Sequence, residues 1–133
     1  MIKIGITGSL ASGKTTASRI LSYKNGPLFS ADKIVKELYK RKHINDLIRK
    51  KLRINKKDNV KKSVKKMILE DLKNISKIEK IIHPLIRKRM KSFTSKHKNK
   101  KLLFYEIPLL IERKLMNFFD LIIFVKSKKK NKL

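Results

Sequence analysis

The first quarter of the chain alternates between apolar stretches and small polar residues. Residues 2–7 alternate and include β-branched side chains, which predicts a short strand. A glycine-containing segment follows at 8–15, and Ala17, Ile20 and Leu21 then share one helical face. The pattern therefore predicts a strand, a loop and a helix, in this order.

The middle of the chain carries apolar side chains mainly at helical spacing. A brief apolar run at 28–31 predicts a second strand. Residues 33–52 then show the helical repeat, with a break near 41–43, and a further helix is predicted over 60–72. We therefore expect a block of amphipathic helices after the second strand.

A last helix is predicted before the chain returns to strands. Residues 76–79 read Ser-Lys-Ile-Glu, which matches a capping box and predicts that a helix begins there. Pro84 interrupts its apolar stripe. We therefore expect either a kink at Pro84 or a new helix with this proline in its first turn.

Two later apolar runs predict buried strands. The first covers 102–105 and ends at Glu106, and the second covers 121–125, with a short helix expected between them. Strands that alternate with helices favour a parallel sheet with helices on both faces. The predicted fold class is therefore α/β.

Charge is the strongest compositional feature. Of 133 residues, 37 are Lys or Arg and 10 are Asp or Glu, which gives a formal net charge of +27. Polyanions are therefore candidate partners, and non-specific, salt-sensitive binding to nucleic acid is expected. The abundance of Ile, Lys and Asn is also typical of an AT-rich genome. If codon bias is its cause, much of the positive charge belongs to an ordinary solvated surface with no specific partner.

The remaining composition excludes several kinds of site. The chain has no cysteine, which excludes disulfides, thiolate zinc sites and cysteine nucleophiles and fits a cytoplasmic location. His43, His83 and His97 lack the i,i+4 spacing of a helical metal pair. The longest apolar stretch, 102–111, is too short for a membrane span, and the N-terminus shows no secretory signal. We expect a cytoplasmic monomer that is not embedded in a membrane.

The loop after the first strand matches a phosphate-binding motif. The pattern G-x-x-x-x-G-K-[ST] fits Gly8, Gly13, Lys14 and Thr15. Its glycines let backbone N–H groups approach phosphate oxygens at the start of a helix. Lys14 is expected to reach the β- and γ-phosphates, and Thr15 to supply a hydroxyl to Mg²⁺. The motif therefore predicts binding of ATP or a similar nucleotide with Mg²⁺.

Two acidic residues are candidates for phosphoryl-transfer chemistry, which needs a carboxylate near the γ-phosphate. Asp32 and Glu106 follow two strand-like runs, at the edge where ligands gather in open parallel sheets. Each could instead be a structural acid at a strand end or a helix cap. Residues 55–58 match the N-K-x-D motif of GTPases, but they lie between helices, and the sequence contains no D-x-x-G. We interpret that match as chance.

Four sequence blocks, in order, carry a family resemblance. They are the opening through the phosphate loop at 4–16, Phe-Ser-Ala-Asp-Lys-Ile-Val at 29–35, His-Pro-Leu-Ile-Arg at 83–87 and Ile-Pro-Leu-Leu-Ile-Glu at 107–112. With these blocks the chain resembles the dephospho-coenzyme A kinases from residue 1 to about residue 125. The resemblance implies a P-loop NTPase-type parallel sheet flanked by helices, with a helical insertion on the substrate side.

The resemblance also implies an activity, which is ATP-dependent phosphorylation of the ribose 3′-hydroxyl of dephospho-CoA. It implies catalytic roles for Asp32, as general base, and for Lys14. ATP would be bound by Gly8, Ala11, Ser12, Gly13, Lys14, Thr15 and Thr16. The acceptor would be contacted by Thr7, Asp32, His83 and Arg87. The implied ligands of Mg²⁺ are Thr15 and Glu106. A helix start with a packed histidine is the alternative for His83.

The sequence departs from the family pattern at several positions. Ser30 replaces the first acid of an Asp-Ala-Asp block, Ser9 and Ala11 replace loop glycines, and Glu106 stands where Asp is frequent. The family continues beyond residue 125 with an arginine-bearing lid, an edge strand and a closing helix, whereas this sequence ends in a lysine-rich stretch. Lysine replaces a bidentate arginine poorly. We therefore expect a truncated product that lacks the lid and edge strand, binds nucleotide, and turns over poorly or not at all.

The expected organisation is a single P-loop kinase domain. Its core would be 1–32 with 100–126, the helical substrate-side insertion about 33–95, and the basic tail 127–133. Two alternatives stay open: another P-loop kinase acting on a small molecule or nucleoside, and a non-enzymatic basic protein that binds nucleic acid.

Overall fold

A computed structural model describes residues 1–8, 13–107 and 116–126. The strands are β1 (Ile2–Gly8), β2 (Leu28–Ser30), β3 (Leu102–Glu106) and β4 (Leu121–Val125). The helices are α1 (Lys14–Ser22), α2 (Ala31–Tyr39), α3 (Lys42–Leu52), α4 (Val60–Glu70) and α5 (Asn74–Lys96), and a 3-10 helix covers Met116–Phe118. No helix within the described ranges combines the length and apolarity needed to cross a bilayer.

The four strands form one sheet in the order β2-β3-β1-β4, and all three pairings are parallel. The prediction of a parallel sheet is therefore confirmed. The register pairs Ile6 of β1 with Glu106 of β3, and Glu106 with Ser30 of β2. The carboxyl ends of these three strands consequently meet at one edge of the sheet, where Asp32 follows two residues after Ser30.

The sheet is covered on both faces because its side chains alternate. On one face, buried Ile4, Ile6 and Phe104 pack with Leu21 of α1. On the other face, Tyr105 stands at the centre of an aromatic cluster, with ring centroids 5.3–6.1 Å from those of its neighbours. These neighbours are Phe29, Phe93, Phe118 and Phe119. Aromatic pairs of this geometry add about 0.5–1.5 kcal/mol each beyond the area they bury.

The chain divides into two compact units. The sheet unit comprises residues 1–32 and 89–133, and the helical unit comprises residues 33–88. The helical unit has its own apolar core, in which Leu38, Ile48 and Val64 are 5% exposed or less. Its helices are therefore held by mutual burial of their apolar faces, the usual source of stability for short helices.

The predicted start of the last helix was wrong. Helix α5 begins at Asn74, so Ser76 lies inside it and does not cap it. A turn at Asp71 leads into the helix: Asp71 accepts from the Lys73 N–H, and the Ser76 N–H already donates to the Lys73 carbonyl. A residue whose N–H is bonded in this way belongs to the helix and is not its cap.

Helix α5 also answers the question raised by Pro84. The helix is continuous through this residue, so no new helix starts there. A proline inside a helix removes one backbone donor and leaves the carbonyl four residues earlier without its usual partner. The helix is retained because its apolar positions, including Ile81 and Ile86, are buried on either side of the proline.

A close backbone approach makes Gly26 a strong test of the sheet unit. A Cβ atom at this position would lie 2.1 Å from the Leu102 carbonyl oxygen, so backbone atoms would have to move. We expect Gly26→Ala to lower the free energy of unfolding by about 3 kcal/mol, as overpacking does. Urea unfolding monitored by circular dichroism measures this change.

Gly5 provides the matched control for Gly26. A Cβ at Gly5 would lie 2.9 Å from the Phe119 ring, so its nearest neighbour is a side chain, whereas at Gly26 it is the backbone. Gly5→Ala should therefore cost less than Gly26→Ala. Equal unfolding midpoints for the wild type and the Gly26 variant would contradict the close approach.

Candidate active site

The candidate site begins where β1 leads into α1. Gly13 has a φ of 85° and a ψ of 16° and directly precedes the first residue of α1. This left-handed conformation, and not a lack of space, requires glycine, because a Cβ there would meet no atom within 4 Å. Ala11 and Ser12, which the sequence assigns to nucleotide binding, lie outside the described residues.

The N-terminus of α1 is open to an anion. The first turn of the helix contains no acidic residue, and Gly13 as N-cap supplies no side chain to bond the first amides. Intrahelical bonding starts with the Ala17 N–H, which donates to the Gly13 carbonyl. Among the described residues, no acceptor bonds the N–H groups of Lys14, Thr15 and Thr16. These groups and the positive end of the helix dipole could therefore receive an anion, as a phosphate-binding loop requires.

Lys14 is held between two acceptors at the start of this helix. Its Nζ lies 3.8 Å from Asp32 Oδ2 and 3.4 Å from the Ile107 carbonyl oxygen. The Lys14 side chain is 13% exposed, whereas that of Asp32 is 50% exposed. One ammonium group and one accessible carboxylate thus lie side by side, so an anion held at the helix N-terminus would have both within reach.

Thr15 brings a second carboxylate to the same helix. Its hydroxyl donates to Glu106 Oε2 at 3.0 Å, and Glu106, the last residue of β3, is 2% exposed. A hydroxyl and a carboxylate are the hard oxygen donors that Mg²⁺ prefers, so this pair fits a magnesium ion that also binds phosphates and water. Within the described ranges no group of three or more His, Asp or Glu side chains could hold a metal by itself.

Thr7 and Thr16 flank the loop on its two sides. Thr7, near the end of β1, is 2% exposed, and its Oγ1 has no hydrogen-bond partner among the described residues. Thr16 lies in the first turn of α1 and is exposed. A buried hydroxyl without a partner is costly in a folded protein, so Thr7 is a position that packing alone does not explain.

His83 and Arg87 belong to the helical unit. Both lie on α5, four residues apart, and therefore on one face of the helix. His83 is half-buried and Arg87 is exposed, and each contacts other residues of the chain. Their assignment to the acceptor stays a prediction.

The structure adds one group that the sequence did not indicate. The backbone carbonyl of Ile107, just after β3, accepts a hydrogen bond from Lys14. A main-chain acceptor has no residue-type signal in a sequence. Only the pairing of β1 with β3 could have suggested that this carbonyl lies near the loop.

Comparison with known proteins gives one consistent family. The family model for dephospho-CoA kinase matches residues 2–133. The Rickettsia typhi dephospho-CoA kinase is 39% identical over 92% of this chain and 64% of its own length. The Bartonella quintana dephospho-CoA kinase is 37% identical over 93% of this chain and 66% of its own length. The chain therefore spans about two thirds of the length of these relatives.

A solved structure shares the fold. The crystal structure of TT1252 from Thermus thermophilus superposes with a TM-score of 0.78 at 22% sequence identity. The match covers 97% of this chain and 67% of the other. The α/β arrangement of a parallel sheet flanked by helices, predicted from the order of elements, is thus confirmed.

Proposed function

Because the chain belongs to the dephospho-CoA kinase family, we propose that it transfers the γ-phosphoryl group of ATP to the ribose 3′-hydroxyl of dephospho-CoA. The observation that carries this proposal is the meeting of two carboxylates with the first turn of α1. Asp32 lies 3.8 Å from the Lys14 ammonium, and Glu106 accepts the Thr15 hydroxyl. The N-terminus of this helix would hold the phosphates between them.

Binding of the donor rests on the start of α1. The open amides after Gly13 would hold the β- and γ-phosphate oxygens, and Lys14 would turn from Asp32 toward them. An ammonium group next to the transferring phosphoryl group offsets the charge that develops as the bond to the leaving oxygen lengthens. Lys14 is therefore assigned to charge stabilisation and positioning.

Transfer to the alcohol rests on Asp32. Its half-exposed carboxylate would accept the proton of the 3′-hydroxyl while that oxygen forms a bond to the γ-phosphorus. The bond between this phosphorus and the β,γ-bridging oxygen breaks, and ADP leaves with the electron pair. The products are ADP and the 3′-phosphorylated acceptor, with the proton on Asp32 released to water.

Magnesium is part of the proposal. Thr15 and Glu106 would hold the ion, which neutralises phosphate charge when bound. We further assign the acceptor side to the helical unit, with His83 and Arg87 as contacts, by analogy with the matching His-Pro-Leu-Ile-Arg block of the family. We also propose a cytoplasmic location, which suits a chain without cysteine, and a monomeric state, since Lys14, Asp32 and Glu106 all come from one chain.

The role of Glu106 leads to a metal prediction. Glu106→Gln keeps the size of the side chain and the hydrogen bond to Thr15 but removes a charge. We expect the Mg²⁺ concentration for half-maximal nucleotide binding to rise about 10- to 100-fold, as for loss of a group that orients or supports a metal ligand. Titration of the chain and ATP with MgCl₂, followed by fluorescence of a nucleotide analogue, measures this. Glu70→Gln, which removes an exposed charge at the end of α4, should leave the requirement unchanged.

The proposed activity is tested by transfer of radiolabel from γ-labelled ATP. With Mg²⁺ present, label should appear in an acceptor of the size of CoA when dephospho-CoA is supplied. Nucleosides and nucleoside monophosphates serve as competing acceptors. Transfer to one of these but not to dephospho-CoA would replace the proposal by another P-loop kinase activity.

Stabilisation against heat provides an independent measurement, since a ligand stabilises the state that binds it. Dephospho-CoA should raise the melting temperature more than adenosine or AMP. If only RNA or DNA stabilises the chain, and salt abolishes the effect, a basic nucleic-acid-binding protein is the better description.

A further inference from the structure

Two loops meet at the edge of the sheet opposite the candidate active site. The active-site edge is formed by the carboxyl ends of the strands, whereas the loops that precede β2 and β3 lie at the amino ends. The Phe104 N–H donates to the Pro27 carbonyl. Gly26 approaches the Leu102 carbonyl so closely that a Cβ would collide with it. The residues before β2 therefore lie beside those before β3.

These two loops carry cations and no carboxylate. One exposed lysine lies in the loop before β2 and three exposed lysines lie in the loop before β3. Together with one exposed tyrosine they form what we call the amino-end surface, which comprises Tyr23, Lys24, Lys98, Lys100 and Lys101. Across the described part of the chain, no carboxylate forms an ion pair with any of these lysines. An anion that approaches this surface therefore meets no negative charge in either loop.

Lys24 adopts a backbone conformation that is unfavourable for lysine. Its φ is 61°, in the left-handed region, and it directly follows Tyr23, the C-cap of α1. Glycine or asparagine is usual at this position after a helix, because other side chains are strained there. The presence of a lysine favours a role for its charge. A cation also complements the negative end of the α1 dipole, and stability measurements separate that role from binding.

Tyr23 adds an accessible aromatic ring to these cations. It is 70% exposed, and the Lys24 Nζ lies 5.4 Å from the centroid of its ring. Proteins that bind single-stranded nucleic acids combine such groups, because bases stack on aromatic rings while cations hold the phosphates. The amino-end surface has both kinds of group within one loop pair.

We propose that the amino-end surface binds single-stranded RNA. Its lysines hold phosphates, and an unpaired base stacks on Tyr23. Single-stranded regions are common in RNA, whereas the bases of a duplex are already stacked on one another and cannot reach the ring. The surface uses no residue of the phosphate loop and lies at the other end of the strands, so the proposal does not depend on the proposed kinase activity.

The lysines are tested by fluorescence anisotropy with a short labelled oligouridylate and the full chain. A triple variant, Lys98→Gln with Lys100→Gln and Lys101→Gln, should bind at least about tenfold more weakly at physiological ionic strength. Its plot of log affinity against log salt concentration should be less steep by about two, because each lost phosphate contact changes the slope for a single strand by about 0.7.

The matched control removes three charges from the helical unit. Lys50→Gln, Lys65→Gln and Lys66→Gln change exposed positions of α3 and α4. This variant should lose less than about threefold in affinity, since distant surface charges are screened by salt. Equal weakening by the two triple variants would show that only the overall charge matters and would overturn the surface.

Tyr23 is tested by a change that leaves the charge unaltered. Tyr23→Ala should weaken oligouridylate binding about 5- to 100-fold, as for loss of one stacked base, and should leave the salt slope unchanged. Tyr23→Phe keeps the ring and should retain the affinity. Wild-type affinity of Tyr23→Ala would contradict stacking on this residue.

Lys24→Asn separates binding from stability. Asparagine tolerates a left-handed conformation better than lysine, so the urea midpoint should stay the same or rise while the affinity for oligouridylate falls about threefold. A lower midpoint with unchanged affinity would assign Lys24 to the C-terminus of α1 alone and contradict its place in the surface.

Other ligands and the phosphate loop complete the experiment. Lys14→Ala should bind oligouridylate as the wild type does, and loss of binding would place the RNA in the phosphate loop and overturn the proposal. The single strand should also bind more tightly than a duplex RNA of equal length or vesicles of phosphatidylglycerol. Tighter binding of either of these would overturn the assignment to single-stranded RNA.

Discussion

Lys14→Ala is expected to reduce phosphoryl transfer about 10²- to 10³-fold, the range found when one preorganised charge-stabilising donor is removed from an active site. The loss has a local cause. Lys14 is the ammonium group at the start of α1 and lies within 4 Å of Asp32 and of the Ile107 carbonyl. Label transfer at saturating dephospho-CoA, with ATP varied, measures the change and separates kcat from KM.

The control for this variant is Lys66→Ala, which removes one charge at an exposed position of α4. It should retain wild-type transfer, because an exposed charge remote from the site is screened by salt. If the Lys14 variant keeps full activity, the Lys14 side chain has no role in catalysis. An unchanged circular dichroism spectrum is needed to show that the variant is folded.

Asp32→Asn is expected to lower kcat about 10²- to 10⁴-fold, the usual contribution of a positioned general base. Nucleotide binding should behave differently. Asp32 pairs with Lys14, but it lies on α2 and is not among the groups proposed to hold ATP. Its loss should therefore change MgATP affinity by less than about threefold. Label transfer and calorimetry on the same preparation give the two numbers.

Asp46→Asn is a close match for this variant. Asp46 is 55% exposed and lies 3.6 Å from Arg49, whereas Asp32 is 50% exposed and lies 3.8 Å from Lys14. Only the Asp32 change should impair transfer. If both variants keep full activity, Asp32 is a structural acid at the start of α2, and another group accepts the proton.

Much of the sheet unit could be predicted from the sequence. Continuous apolar runs marked both β3 and β4. Strand β3 is buried, as expected for a central parallel strand. The expected burial of β4 was wrong, because β4 lies at the edge of the described sheet, with Leu121 52% and Phe124 48% exposed. The glycine spacing marked the loop because a left-handed residue such as Gly13 must precede α1. Once the strands and the loop were predicted, the position of Asp32 and Glu106 at one sheet edge followed, because the carboxyl ends of parallel strands lie at the same edge.

Other features were set by tertiary contacts that periodicity does not encode. Ile20 was expected to share an apolar face with Ala17 and Leu21, yet it is 68% exposed, because the face of α1 that is buried carries Ser18 and Ser22. The start of α5 was misassigned because a turn at Asp71 organises the backbone before Ser76 can act as a cap. The close approach at Gly26 depends on the Leu102 carbonyl, which lies far along the chain.

The amide spectrum of the ¹⁵N-labelled chain during titration with MgATP tests the phosphate loop most directly. We expect the largest shifts at Gly13, Lys14 and Thr15, whose N–H groups would meet the phosphate oxygens, with saturation at one nucleotide per loop. If MgATP shifts other amides but not these three, or shifts no amide at low ionic strength, the proposal that the start of α1 binds the nucleotide is contradicted.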